Sequence, residues 1–72
     1  MVGRTYTPVV SSNILGLGYD EETQTLYVRF KNGSEYKYDN VPQDEYDSLL
    51  NASSIGGYFN DNIKNSYGYS RV

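Results

Sequence analysis

The segment richest in chemistry runs from Ser53 to Lys64, Ser-Ser-Ile-Gly-Gly-Tyr-Phe-Asn-Asp-Asn-Ile-Lys. Ser53 or Ser54 can cap a helix there, and a helix start leaves up to four backbone N–H groups unpaired. Gly56 and Gly57 leave those donors uncovered and let a ligand approach the backbone. Asn60 and Lys64, one turn apart, add an amide and a cation to the same helix. The combination suits an anion or a nucleotide at the helix start. It is not a P-loop, since no lysine follows the glycines directly. The competing reading is a capped helix whose glycines serve close packing against a sheet. Ser11 and Ser12, ahead of the first strand, are candidates to complete the site. Tyr36, Tyr38 or Tyr67 would wall it with a ring and a hydroxyl.

Other chemistry is excluded by composition. The chain has no histidine, cysteine or tryptophan, which removes His- and Cys-based nucleophilic catalysis, thiolate metal sites, disulfides and haem ligation. Asp20, Glu21 and Glu22 are adjacent, so alternate carboxylates point apart, and no segment has the ligand spacing of a calcium loop. A serine–lysine pair, from Ser11, Ser12 or Ser53 with Lys64, has nothing in the sequence to fix its geometry. No catalytic residue, no metal ligand and no cofactor is expected. The chain reads as a binding module and not as an enzyme.

Six basic residues against nine acidic ones give a net charge of −3 and a pI near 4.6. Such a balance repels a polyanion unless the cations gather on one face. Arg29, Lys31 and Lys37 do fall close together and interleave with tyrosines, a pattern compatible with base stacking on a strand face. Tyrosine is equally favoured at protein interfaces. Of the nine tyrosines, Tyr19, Tyr36, Tyr38 and Tyr46 are assigned to the structure. Tyr27, Tyr58, Tyr67 and Tyr69 are candidates for exposed contacts.

These groups must be positioned by one small domain. A chain of 72 residues without disulfides rarely holds more than about 3–5 kcal/mol of net stability. Thr5 to Ser12 reads as an extended lead-in, because Pro8 denies a helix to its neighbours. Residues 1–10 are assigned to that lead-in and residues 11–70 to the domain. Strand one follows, with Leu15, Leu17 and Tyr19 on one face and Gly16 and Gly18 on the other. Asp20 to Gln24 is a polar turn. Thr25 to Phe30 is the clearest strand, with Leu26, Val28 and Phe30 inward.

The hairpin to strand three, Glu35 to Asn40, has two possible registers. A two-residue Asn32-Gly33 loop pairs Phe30 with Glu35 and sends Lys37 and Asp39 to the core side. A three-residue Lys31-Asn32-Gly33 loop with a bulge pairs Phe30 with Ser34, Val28 with Tyr36 and Leu26 with Tyr38, and sets Arg29 opposite Glu35. Only the second matches apolar to aromatic on one face and opposite charges on the other. It predicts Tyr36 and Tyr38 largely buried, their hydroxyls at an edge.

Val41-Pro42 starts a helix with proline at its first position and carboxylates in its first turn. Tyr46, Leu49 and Leu50 form its apolar stripe, and Asn51 ends it. A second, shorter helix turns Ile55, Phe59 and Ile63 inward, and Tyr67-Gly68-Tyr69 is a short aromatic tail. The expected fold is α+β: a three-stranded antiparallel meander covered on one face by two short helices, in the order β-β-β-α-α.

In this order the residues resemble the KTSC family, from about Val10 to Tyr69. The resemblance is carried by Ser11-Ser12-x-Ile14, Tyr19-Asp20, Leu26-x-Val28-x-Phe30, Asn32-Gly33, Tyr36-x-Tyr38, Val41-Pro42, Tyr46, Leu49, Ala52-x-Ser54 with Gly56 or Gly57, Phe59-Asn60, Ile63 and Tyr67. The family is similar to a C-terminal appendage of some lysyl-tRNA synthetases and also occurs as stand-alone bacterial and phage proteins. RNA binding has been suggested for it. The resemblance implies a single-domain binding protein and fixes no ligand; the Ser/Gly helix entrance, Asn60, Lys64 and the aromatic residues near them point to a non-catalytic module that binds a nucleotide or a nucleic acid segment. The alternative is a protein-interaction module, phage-encoded and acting on a host protein. No apolar run is long enough for a membrane span and Met1–Val10 has no signal-like stretch, so no membrane partner and a cytoplasmic location are expected.

Overall fold

The computed structural model describes residues 6–72; residues 1–5 of the assigned lead-in lie outside them. Five antiparallel strands lie side by side in chain order: β1 (Thr7–Pro8), β2 (Ile14–Asp20), β3 (Thr25–Phe30), β4 (Glu35–Tyr38) and β5 (Tyr69–Arg71). Helix α1 (Gln43–Leu50) and helix α2 (Ile55–Tyr58), the latter continued by a π-helical turn (Phe59–Ile63), lie between β4 and β5 in the chain. The architecture is α+β, as expected, but the sheet has five strands and not three.

The β3–β4 hairpin adopts the bulged register. Gly33 takes φ +94, its N–H donates to the Phe30 carbonyl at 3.0 Å, and the Phe30 N–H donates to the Ser34 carbonyl at 2.8 Å. That left-handed φ is what glycine permits without strain. Asn32 Oδ1 accepts from the Ser34 N–H at 2.9 Å and stiffens the loop. Val28 therefore sits opposite Tyr36, Leu26 opposite Tyr38, and Arg29 opposite Glu35, whose side chains pair at 3.3 Å.

In β2 the expected alternation is broken by a bulge. Ile14 pairs with Phe30 but Gly16 pairs with Arg29, so Leu15 is the extra residue. The inward set is Ile14, Leu17 and Tyr19, and Leu15 is half exposed, a correction to the face assigned from simple alternation. At the sheet's edges, Thr7 and Pro8 pair with Leu17 and Gly16, and Tyr69 to Arg71 pair with Tyr38 to Tyr36. The sheet thus takes in residues on both sides of 11–70. Proline is tolerated in β1 because an edge strand has a side that needs no donor.

Pro42 stands just before α1, as its N-cap, and not at its first helical position: its ψ of 153 is still extended. Asn51 ends the helix as expected. The core joins Ile14, Leu17, Leu26, Val28 and Tyr38 from the sheet to Val41, Leu49, Phe59 and Ile63 from the helical segment, all nearly inaccessible. Tyr19 stacks on Tyr46, rings 4.7 Å apart, and its hydroxyl donates to the Val41 carbonyl, pinning the approach to α1. Burial, followed by the nearby Glu21, Asp47 and Asp20 carboxylates, raises the Tyr19 phenol.

Candidate functional site

Five aromatic rings close a circuit at one end of the core. Phe30 meets Tyr36 edge-on at 5.9 Å, Tyr36 meets Tyr69 at 5.9 Å, Tyr69 stacks on Tyr38 at 5.4 Å, Tyr38 meets Phe59 edge-on at 5.3 Å, and Phe59 returns to Phe30 at 5.8 Å. Each separation lies within the range in which offset or edge-to-face rings attract. Four of these rings come from adjacent strands, Phe30 from β3, Tyr36 and Tyr38 from β4 and Tyr69 from β5, with Tyr38 and Tyr69 directly paired. Phe59 comes from the helical segment.

The circuit lines a groove of about 300 Å³. Lys64, Asn60 and Asn65 border it from the helical side, and Asn13, Asn32 and Ser34 from the loops at the ends of β2 and β3. The π-helical turn helps to arrange this border: the Lys64 N–H donates to the Phe59 carbonyl at 2.9 Å, five residues back, so the turn is wide. Asn60 and Lys64 both reach the groove while Phe59 and Ile63 stay buried. The groove's chemistry is an aromatic wall of rings set mostly edge-to-face, with amides, hydroxyls and one cation around it.

A second cavity, of about 380 Å³, adjoins the first and shares Asn13 and Asn60 with it. Ser11, Ser12, Ser53, Ser54, Gly56 and Gly57 line it, and it contains no charged side chain. Neither cavity is lined by an aspartate or a glutamate. The acidic runs lie on the β2–β3 turn and on α1 instead.

Of the residues singled out from sequence, Tyr36, Tyr38, Asn60 and Lys64 thus line the aromatic groove. Ser11, Ser12, Ser53, Ser54, Gly56, Gly57 and again Asn60 line its neighbour. Tyr67 lines neither: its hydroxyl donates to Glu45 Oε1 at 3.2 Å. The Tyr58 hydroxyl donates to the same carboxylate. Both were expected to make outward contacts, and instead they tie the helical segment and the approach to β5 onto α1, because Glu45 offers them an acceptor. Burial and then Glu45 raise the Tyr67 phenol, whereas for Tyr58 the hydrogen bond to Glu45 is the leading cause.

The helix start also differs from the expectation of free donors. α2 is a single four-residue turn, the Ser54 hydroxyl accepts from the Gly57 N–H at 3.2 Å, and the Tyr58 N–H donates to the Ser54 carbonyl at 2.9 Å. The glycines are explained by closeness. A Cβ on Gly56 would stand 3.2 Å from Ser11 Oγ and from Asn13 Oδ1, and one on Gly57 would stand 3.0 Å from Ser54 Oγ. Gly56 lets the segment dock against the 11–13 turn, where Ser11 Oγ accepts from the Ile14 N–H at 3.3 Å. The close packing is against this turn and not against a strand.

Phe30, Phe59, Asn13, Asn32, Ser34 and Asn65 are the groove residues that the sequence did not single out as a site, and Tyr69 is one it named only for exposed contacts. Phe30 and Phe59 read from their pattern as core, and the asparagines and Ser34 as turn formers. Among the described residues no three acidic side chains gather to hold a metal ion, and no helix is long and apolar enough to cross a membrane.

The KTSC domain family model matches residues 10–67. A KTSC domain protein from Yersinia pestis has the same fold, with a TM-score of 0.90 and 31% identity over 97% of this chain and 99% of that one. An uncharacterized protein of Stutzerimonas stutzeri is 43% identical over 86% of this chain and 89% of its own length. A lysine–tRNA ligase of Nostoc punctiforme is 38% identical over 85% of this chain, which spans only 11% of that enzyme. The chain belongs to the KTSC domain family.

Proposed function

We propose that this domain is a non-catalytic module that binds a nucleotide, free or within a short single-stranded segment, in the aromatic groove. The observation that carries this reading is the circuit of five rings with Lys64 and four asparagines at its border. A base offers the flat π-face and polar edge that such a groove accommodates, and its phosphate offers the anion that Lys64 attracts. The sorting of carboxylates away from both cavities supports an anionic ligand despite the net charge of −3. With one lysine in the groove, the reading is a ligand with few phosphate contacts and not a tracked polyanion. The relatives among lysine–tRNA ligases, enzymes that handle an RNA, point the same way.

A chemical-shift titration of labelled protein with nucleoside monophosphates and short RNA and DNA strands tests this. The expected outcome is perturbation at Tyr36, Asn60 and Lys64, with affinity falling with salt by roughly 0.7 of a power per phosphate contact. Silence at low salt overturns it and favours the protein-interaction reading. Perturbation confined to Tyr27, Arg29 and Lys37, on the opposite face of the sheet, overturns the choice of site.

A further inference from the structure

Tyr38 is the one tyrosine whose ring belongs to the core while its hydroxyl serves no packing purpose. The residue is 4% exposed, held edge-on by Phe59 and stacked by Tyr69. Tyr19, Tyr58 and Tyr67 each donate a hydroxyl hydrogen bond to a protein acceptor. The Tyr38 hydroxyl makes none with the described residues. No sealed side-chain oxygen or nitrogen among them lacks a partner, so this hydroxyl is not sealed off, and Tyr38 is one of the residues that line the groove.

A phenylalanine at this position would keep both ring contacts and spare the domain a polar tip in an apolar setting. The hydroxyl is therefore not explained by the fold. Burial pushes the phenol up to about 12, so it remains a neutral group at ordinary pH, able both to donate and to accept. At about 300 Å³ the groove lies at the small end of ligand sites, which run from roughly 300 Å³ upward. That is space for one nucleoside-sized unit and not for a stack of several.

We propose that the groove takes a single unstacked base edge-first and that the Tyr38 hydroxyl is the specificity-determining contact to that edge. The inference rests on the nucleotide reading of the same groove. Lys64 acts on the phosphate, which every nucleotide carries, and contributes affinity without choice. Tyr38 meets the part that differs between bases. A site that hydrogen-bonds a ligand edge discriminates against ligands that leave its buried polar group unpaired.

The test compares the wild-type domain with Tyr38→Phe and Lys64→Gln, titrating each with AMP, GMP, CMP and UMP. The wild type is expected to rank the four. Tyr38→Phe should weaken the preferred nucleotide about tenfold and the least preferred hardly at all, flattening the ranking. Its denaturation midpoint should not fall, since no protein hydrogen bond is lost. Lys64→Gln should weaken all four by a similar factor and keep their order. In the wild type, the preferred nucleotide should also shift the resonances of the Tyr38 ring, a readout independent of whether the variant folds. If nucleotides bind and Tyr38→Phe keeps both affinity and ranking, or the Tyr38 ring stays silent, Tyr38 is not the reader and the nucleotide reading survives. If the wild type binds none of the four, the nucleotide reading fails and the inference with it.

Discussion

Tyr38 and Tyr69 face each other across the β4–β5 pair, their rings stacked at 5.4 Å with planes 30° apart. Tyr38 is in the core and Tyr69 is 58% exposed, so the stack is the lid that the last strand places on the sheet. Directly opposed aromatic residues contribute about 0.5–1.5 kcal/mol beyond area burial. Tyr69→Ala is expected to destabilise the domain by about that amount and Tyr69→Phe hardly at all, as read from urea denaturation midpoints. An unchanged midpoint in Tyr69→Ala would show that the Tyr38–Tyr69 stack contributes nothing to the fold.

Glu45 gathers two phenols, from Tyr58 and Tyr67, onto α1. Removing the acceptor leaves both without their partner, and Glu45→Ala is expected to lower the urea denaturation midpoint. The two tyrosines should then respond differently. The Tyr58 phenol is held up first by its hydrogen bond to Glu45, so its titration should move down towards the ordinary range. That of Tyr67 is held up first by burial and should move less. Titration of the two rings followed by NMR decides this; equal movement would refute the assignment of causes.

Phe59 is 2% exposed and bridges Phe30 to Tyr38. Truncation of a buried phenylalanine to alanine costs about 3–5 kcal/mol, which is the whole stability expected of a domain this size. Phe59→Ala should therefore be largely unfolded at room temperature, with collapsed amide dispersion and no cooperative melting. A folded Phe59→Ala domain would mean that the ring circuit is not part of the core.

The pH dependence should appear on the alkaline side. Burial pushes Tyr38 from the usual 10 up to about 12, and Tyr19, Tyr46, Tyr58 and Tyr67 are also raised. A raised pKa means that the folded state holds the phenolic proton more tightly than the unfolded chain. That contribution is fully present below pH 10 and is lost as pH climbs through about 12. Denaturation midpoints should therefore fall across this window, together with the rise of tyrosinate absorbance. Ionisation of every tyrosine in one step at the ordinary value, with the fold intact, would contradict it.

The central hairpin and its register were legible in the sequence because their determinants are local. Alternation over Thr25–Phe30, a glycine three residues past its end, and the need to place Tyr36 and Tyr38 opposite Val28 and Leu26 leave one consistent pairing. The caps at Ser54 and Asn51 and the inward Phe59 and Ile63 are likewise written in neighbouring residues. So was much of the membership of the two cavities, since serine, glycine, asparagine and lysine within twelve positions end up on one side of a short helical segment.

Tertiary structure decided the rest. Three residues after Gly68 carry too little pattern to announce a strand, and β5 exists because the edge of β4 offers unpaired backbone groups to it. The bulge that turns Leu15 outward depends on how β2 meets β3, not on β2 alone. Whether a tyrosine hydroxyl is used by the fold was equally invisible, because its partner is distant in sequence. Glu45 lies 13 residues from Tyr58 and 22 from Tyr67. Composition could supply nine tyrosines; only the packing of strands against helices could bind some of those hydroxyls to acceptors and leave that of Tyr38, a residue lining the groove, without one.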